Sequence, residues 1–484
     1  QVENFNSPSE TQNDSFKSVS KYFDRITRPE QILSSLPQAI NTMLDPADCG
    51  PAVISMSQDV QGEAFDYPEV FFEEKIHTIR RIYPDPNQIK KAAEKLKQSR
   101  QPIIISGGGV LYSEAEQELS NFAKKHNIPV TATVMGIGCM SKDDPYYISA
   151  IGCLGEGSSN NLATDTDLAL AVGTKLGDFT TGSWTNFENE NFQLVSINTS
   201  RFDTTKHRAT PVVSDAKVGL QELSEELGSW KAPDNWYKRA VEERNTWDSY
   251  VTKESGPTNQ ELPSYAHAVG AVYRNADPSD IVVTAAGGLV GEVVQIWKPK
   301  ELNTFETEWG FSCMGYEISG ALGIKMAKPD QDVIVFVGDG SYLLQNSDIY
   351  SSVIYEKKLI IVVCDNGGHM VINRLQLAKG GKEYLCNLKA ARASNVQFVD
   401  FEAHAKSMGA NAETVKTTSE LESAFKRAKE SNKTYVISML THGYEWLDGT
   451  AFWESPTLET HTTEENKKAY QDFVDGKNKQ RKGV

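Results

Sequence analysis

The stretch VFVGDGSYLL, residues 335–344, breaks off a run of β-branched apolar residues at Gly338-Asp339-Gly340, a carboxylate held between two glycines. Residues 333–337 have the composition of a buried strand. The stretch after it, NSDIYSSVIYEKK (346–358), reads as a helix with Asn346 or Ser347 at its cap, Ile349 and Val353 on one face, and Lys357 and Lys358 at its negative end. LIIVVC (359–364) is a second strand. Strand, helix and strand make one βαβ unit, so both strands run parallel and finish at the same edge of a sheet. Asp339 and Asn366 therefore face one crevice. On neighbouring strands, about 5 Å apart, their side-chain oxygens would reach a single ion, at the edge where open α/β sheets bind ligands.

A carboxylate, an amide oxygen and the carbonyl of Gly368, exposed by the Gly367-Gly368 turn, form an all-oxygen set suited to Mg²⁺ or Ca²⁺ rather than zinc. Three protein ligands leave room for phosphate oxygens and water. Gly340 lets the backbone approach an anion closely, and Ser341 adds a donor. The pattern asks for a metal-bound diphosphate. A P-loop is excluded by the absence of GKS or GKT, and SGGGVLY (106–112) lacks the third glycine of GxGxxG, where Tyr112 stands. By itself Gly338-Asp339-Gly340 also fits a plain strand-to-helix turn with a capping Asp. The spacing to Asn366 across a whole βαβ unit is what points to a cation.

Around this unit, short apolar runs alternate with helical patterns, which predicts α/β architecture with Rossmann-like, doubly wound parallel sheets. A chain of 484 residues exceeds one ordinary core. Residues 1–70 hold a helix at PEQILSSLPQAINTML and one strand at GPAVISMSQDV, about half a domain. Residues 84–228 form a complete six-strand-sized unit, with strands at PIIIS, LALAV and FQLVSI. YVTKESGPTNQELP (250–263) reads as a linker. Residues 264–455 repeat the alternation, and 456–484 form a polar tail that is solvated or strapped onto the body. The net charge of −16 excludes nucleic acid and anionic membrane as main partners. Six dispersed cysteines without CxxC spacing fit a reducing cytoplasm. The first residues show no signal-peptide pattern, and no apolar run reaches the roughly 18 residues a membrane span needs. The chain opens on Gln rather than Met, which suggests a segment upstream.

The GDG, the interval and the Asn resemble the cofactor motif of thiamine diphosphate-dependent enzymes. Their motif ends in a pair of Asn residues; here Asp365 takes the first place and Asn366 the second. The resemblance implies Mg²⁺ held by Asp339, Asn366 and the carbonyl of Gly368, and a second diphosphate-contacting turn at AAGGL (285–289), with Gly287, Gly288 and Leu289. It also implies a cofactor propped in a bent shape by FSCMGYEISGALG (311–323), with Met314 as apolar wedge and backbone at Ser312 and Met314 meeting the aminopyrimidine. Gly340 and Ser341 would lie against the diphosphate. Within the family the chain is most similar to the branch that hydrolyses trihydroxycyclohexane-1,2-dione in inositol breakdown, through EWGFSCMGYEISGALG, GHMVINRLQ (368–376), GTKLGDFTTGSW (173–184) and DGTAFWE (448–454). Gly367-Gly368-His369-Met370 departs from that branch's His-Gly-Phe-Gly-like run.

The family carries three α/β domains, and residues 1–70 correspond only to the end of the first, pyrimidine-binding one. The glutamate that activates the cofactor belongs to the part without counterpart here, so the 484 residues alone are not expected to turn over. The implied reaction opens a polyol-derived cyclic 1,2-diketone, giving 5-deoxy-glucuronate; an acetolactate synthase-like carboligase or 2-oxo-acid decarboxylase is the near alternative, and a non-catalytic cofactor-binding or assembly module the distant one. His369 is the nearest candidate proton donor, His267 a more remote one. Some relatives hold a flavin or nucleotide in the central domain, but SGGGV serves equally as a tight turn. GEGSSNN (155–161) reads as a polar loop near the active-site mouth, and Trp184, Trp309 and Trp453 as packing anchors. A homodimer or homotetramer is implied.

Overall fold

The computed structural model describes residues 3–390 and 398–481; the last three residues of the predicted tail lie outside them. Among the described residues, fourteen strands form three sheets, all parallel. A two-stranded sheet joins β1 (Tyr22–Ile26) to β2 (Ala52–Met56) around the helix Ile32–Met43. A six-stranded sheet follows, from β3 (Pro102–Ser106), β4 (Val130–Ala132), β5 (Tyr147–Ala150), β6 (Leu168–Val172), β7 (Gln193–Asn198) and β8 (Thr210–Val213), in the order β5-β4-β3-β6-β7-β8. The second six-stranded sheet, from β9 (Ile281–Thr284), β10 (Phe305–Thr307), β11 (Val333–Gly338), β12 (Ile360–Asp365), β13 (Asn411–Val415) and β14 (Tyr435–Leu440), has the order β10-β9-β11-β12-β14-β13. The α/β prediction holds in both large units.

The centre of the second sheet shows why its sequence is an apolar run instead of an alternation: helices cover both faces. On β11, Ile334 and Phe336 join a cluster with Val269, Val272 and Val293 from the helices Tyr265–Tyr273 and Leu289–Ile296. Val333, Val335 and Val337 turn the other way, onto Ile318, Leu322 and Ile349. Ile349 and Val353 share a face as predicted, but that helix spans only Asp348–Ile354. Lys358 consequently lies beyond its end and pairs with Asp332 at 2.8 Å. Strand β1 escaped the sequence reading because YFDRI mixes charge with apolar residues. The helix Asp234–Glu254 continues into the stretch read as a linker.

Buried polar contacts fasten the two six-stranded units. GEGSSNN is not a loop at a cavity mouth: Glu156 precedes the helix Gly157–Asp165, where Ser158 and Ser159 are buried against Ser149. Glu156 is buried and meets the Lys298 ammonium at 3.0 Å, while Lys298 also pairs with Asp248. Burial pushes the Glu156 carboxyl up to about 7, against the pull of Lys298. Gln295 donates to the Gly155 carbonyl at 2.9 Å, and Asn160 to that of Gly449 at 2.8 Å. The Trp247 ring lies against Gly157 and Gly449, leaving no room for a Cβ at either. The tail helix Glu464–Lys479 leads to Arg481, which donates to the Asn189 carbonyl at 2.8 Å and so ties the tail to the central unit.

Lys298→Met strands Glu156 as an unpaired buried acid and should cost about 3–5 kcal/mol, the usual penalty for removing one partner of a buried pair. Glu156→Gln leaves Lys298 its Asp248 partner and should cost less. The midpoints of urea unfolding for the two variants check the order.

Candidate functional site

Strands β11 and β12 pair in parallel with Gly338 opposite Cys364. The chain leaves both strands at the same edge, and one cavity of about 200 Å³ there is lined by Gly287, Gly288, Leu289, Ser312, Met314, Asp339, Gly340, Ser341, Asn366, Gly368 and His369. Every cofactor- and metal-site residue singled out in the sequence lies in this lining, and so does His369. Tyr265, Ala286, Gly338, Met370, Val371 and Ile372 complete it. His267 does not reach the cavity; its ring meets the Ser264 hydroxyl at 2.8 Å in a capping box at the start of Tyr265–Tyr273.

Asp339 opens a short helix, Asp339–Leu344, and is only 6% exposed. The register sets Asp365, not Asn366, directly beside it. Burial first, then the charge of Asp365, pushes the Asp339 carboxyl up to about 7. Asp365 accepts the Gly367 N–H at 2.9 Å, which fixes the turn, and Gly367 and Gly368 adopt φ of 77° and 144°. Asn366 donates its Nδ2–H to the Tyr265 hydroxyl at 2.6 Å. Its Oδ1 is buried without a hydrogen-bond partner among the described residues.

A buried carboxylate destabilised as an anion and an orphaned amide oxygen are what a divalent cation would relieve. No group of three His, Cys, Asp or Glu side chains placed to hold a metal occurs among the described residues. Beside the Asp339 carboxylate, a cation here would draw on amide, carbonyl and ligand oxygens, the preference of Mg²⁺. The lining fits the rest of a diphosphate as well. A Cβ on Gly340 would come within 2.9 Å of the His369 ring and 3.3 Å of the Met314 methyl, so glycine keeps the floor open beneath both. Gly287, with φ of 80°, turns the chain into the helix Leu289–Ile296.

Three acids or aromatics that shape the site were not singled out in the sequence. Glu308 accepts the N–H groups of Phe311 and Cys313 at 2.9 and 2.6 Å, holding the turn that carries Ser312, whose φ is 53°. The buried Glu317 accepts from Gly315 at 2.9 Å and Ala286 at 3.3 Å, binding two walls of the cavity together. A charge inside the apolar helix start GYEISGALG was the available signal. Tyr265 carried none, being one aromatic in an apolar helix. A larger cavity of about 690 Å³ lies at the carboxyl edge of β3 and β6, lined by Gly108, Gly109, Lys175 and, from the second unit, Glu308 and Trp309. Trp309 lines this cavity and also packs edge-on to Phe179, while Trp184 and Trp453 pack on His207 and Phe179. No helix of the described residues is long and apolar enough to cross a membrane.

Residues 89–223 match the family described as thiamine pyrophosphate enzyme, central domain, and residues 285–439 match thiamine pyrophosphate enzyme, C-terminal TPP binding domain. The first match falls on the central sheet, the second on the sheet that carries the cavity. The 3D-(3,5/4)-trihydroxycyclohexane-1,2-dione hydrolase of Shouchella clausii (strain KSM-K16) is 36% identical over 95% of this chain and 76% of its own length. The protein of the same name from Bacillus licheniformis is 36% identical over 97% of this chain and 77% of its length. That from Lacticaseibacillus casei is 34% identical over 98% and 78%. Likeness of this extent, running through both large units and three-quarters of each relative, makes the chain a member of the thiamine pyrophosphate, or thiamine diphosphate, enzyme family.

Proposed function

We propose that the protein is a Mg²⁺- and thiamine diphosphate-dependent hydrolase that opens a cyclic polyhydroxylated 1,2-diketone, as the names of its relatives describe, converting trihydroxycyclohexane-1,2-dione to 5-deoxy-glucuronate in the cytoplasm. The observation that carries the reading is the orphaned Asn366 Oδ1 at the same strand edge as the buried Asp339. These two, with the carbonyl of Gly368, would hold the cation on the diphosphate. Gly287, Gly288, Leu289, Gly340 and Ser341 would line the phosphates. The Met314 thioether, apolar and adaptable, would serve as the wedge, with Ser312 beside it. Once bound, the cofactor would supply a carbon nucleophile and, in its cationic ring, the sink for the electrons of the breaking C–C bond.

The chain's own residues orient and exclude. Glu308 and Glu317 hold the walls, and the His369 imidazole, whose Cε1–Nδ1 edge lies over Gly340, is proposed as the proton source. Exposed Phe311, Leu343, Leu344 and Ile372 on the segments that form the cavity favour a homodimer or homotetramer that covers this face.

Thiamine diphosphate with Mg²⁺, at a hundredfold excess over the dissociation constant, should stabilise the chain by about 2.7 kcal/mol, read as a rise in melting temperature that Asp339→Ala abolishes. An equal rise in Asp339→Ala removes the cation site. The chain alone should release no acid from the cyclic diketone, pyruvate or glyoxylate, as judged by product chromatography. Joined to the portion of the Bacillus licheniformis relative without counterpart in the 484 residues, it should open the diketone. Acetolactate from pyruvate would indicate a carboligase instead, and no turnover with any substrate a binding module.

A further inference from the structure

An amide can offer a cation only one of its two ends. Rotating the Asn366 side-chain amide by half a turn exchanges Oδ1 for an NH₂ group of nearly the same shape, which repels a metal. Whatever orients this amide therefore governs the affinity of the site. With Oδ1 toward the cation, Nδ2 must face protein, and a buried N–H without an acceptor is costly.

We propose that Tyr265 is the positioning residue for Asn366, its phenolic oxygen taking up the Nδ2–H so that Oδ1 is left for a divalent cation. This rests on the reading of the cavity as a Mg²⁺–diphosphate site. Both ends of the amide bear on it: the Nδ2–Oη contact of 2.6 Å, and the buried Oδ1 without a partner among the described residues. The phenol is itself fixed. Tyr265 is 3% exposed and begins the helix Tyr265–Tyr273, whose start is set by the Ser264–His267 capping box. Its ring stands edge-on to Trp446 with centroids 5.7 Å apart, and Trp446 in turn lies against Gly288, another residue of the cavity lining. The acceptor is thus held in place from two sides, and its position does not depend on the loop that carries Asn366. Outer groups that orient a metal ligand in this way typically contribute 10- to 100-fold in affinity.

The test uses the 484-residue chain with saturating thiamine diphosphate and Mn²⁺ as the probe, counting bound ion by electron paramagnetic resonance, which requires no turnover. Tyr265→Phe keeps the ring against Trp446 and deletes only the oxygen; its Mn²⁺ midpoint should rise about 10- to 100-fold. Tyr273→Phe deletes a hydroxyl from the same helix, one that donates to the Lys298 carbonyl at 3.0 Å away from the cavity, and should stay within about threefold of wild type. All midpoints are taken at a temperature where far-ultraviolet circular dichroism shows every variant folded, so that lost structure cannot pass for lost affinity. A Tyr265→Phe midpoint within about threefold of wild type overturns the proposal, as does an equal loss in Tyr273→Phe. Failure of the underlying reading looks different: wild type would take up no Mn²⁺, or Asp339→Ala would take it up undiminished.

Discussion

Burying a carboxylate at the tip of a central strand is unfavourable, and here two lie side by side. The register that sets Gly338 beside Cys364 carries Asp339 and Asp365 into adjacent places where both are almost wholly screened from water. Hydrogen bonds from the backbone of Gly340 and Gly368 offset part of the cost for Asp339, and the Gly367 N–H does so for Asp365. The remaining deficit is electrostatic, and a positive charge is its natural remedy. The surrounding arrangement serves that remedy: glycines where approach must be close, an amide with an idle oxygen, and carboxylates at positions 308 and 317 that bind the walls without entering the centre.

The Asp365 position departs from the family's Asn pair, and the structure shows what the acid does there. It accepts a backbone hydrogen bond from two residues on, the service an Asn side-chain oxygen would also provide. The turn geometry is therefore indifferent to the exchange. The electrostatics are not, because an amide would have brought no second negative charge next to Asp339.

Much of this arrangement could be read from the chain. Parallel pairing of β11 with β12 follows from one βαβ unit, and pairing alone brings Asp339 and Asn366 to a common edge. Glycine turns at 287 and 367–368 announce themselves by composition. Tyr265 does not, since what matters about it is a contact made across 101 positions, and the charge of Glu317 in an apolar helix start marks the residue but not its contact across 31 positions. Local patterns carry no trace of such pairings. GEGSSNN misled for a related reason: its polarity suggested exposure, yet its serine hydroxyls are buried against Ser149, and its acid is buried against Lys298, which offsets only part of the desolvation. The predicted helix at 346–358 was too long because side-chain periodicity outlasts the backbone that bears it.

Trp247 bears on how the molecule can move. Its indole fills the gap between Gly157 in the central unit and Gly449 in the stretch after β14, with both backbones against its rim. A rigid plate clamped in that way resists shear as well as separation. Breathing about a hinge between the two large bodies would have to expel the plate first, which leaves access to the cleft to the surface segments around it.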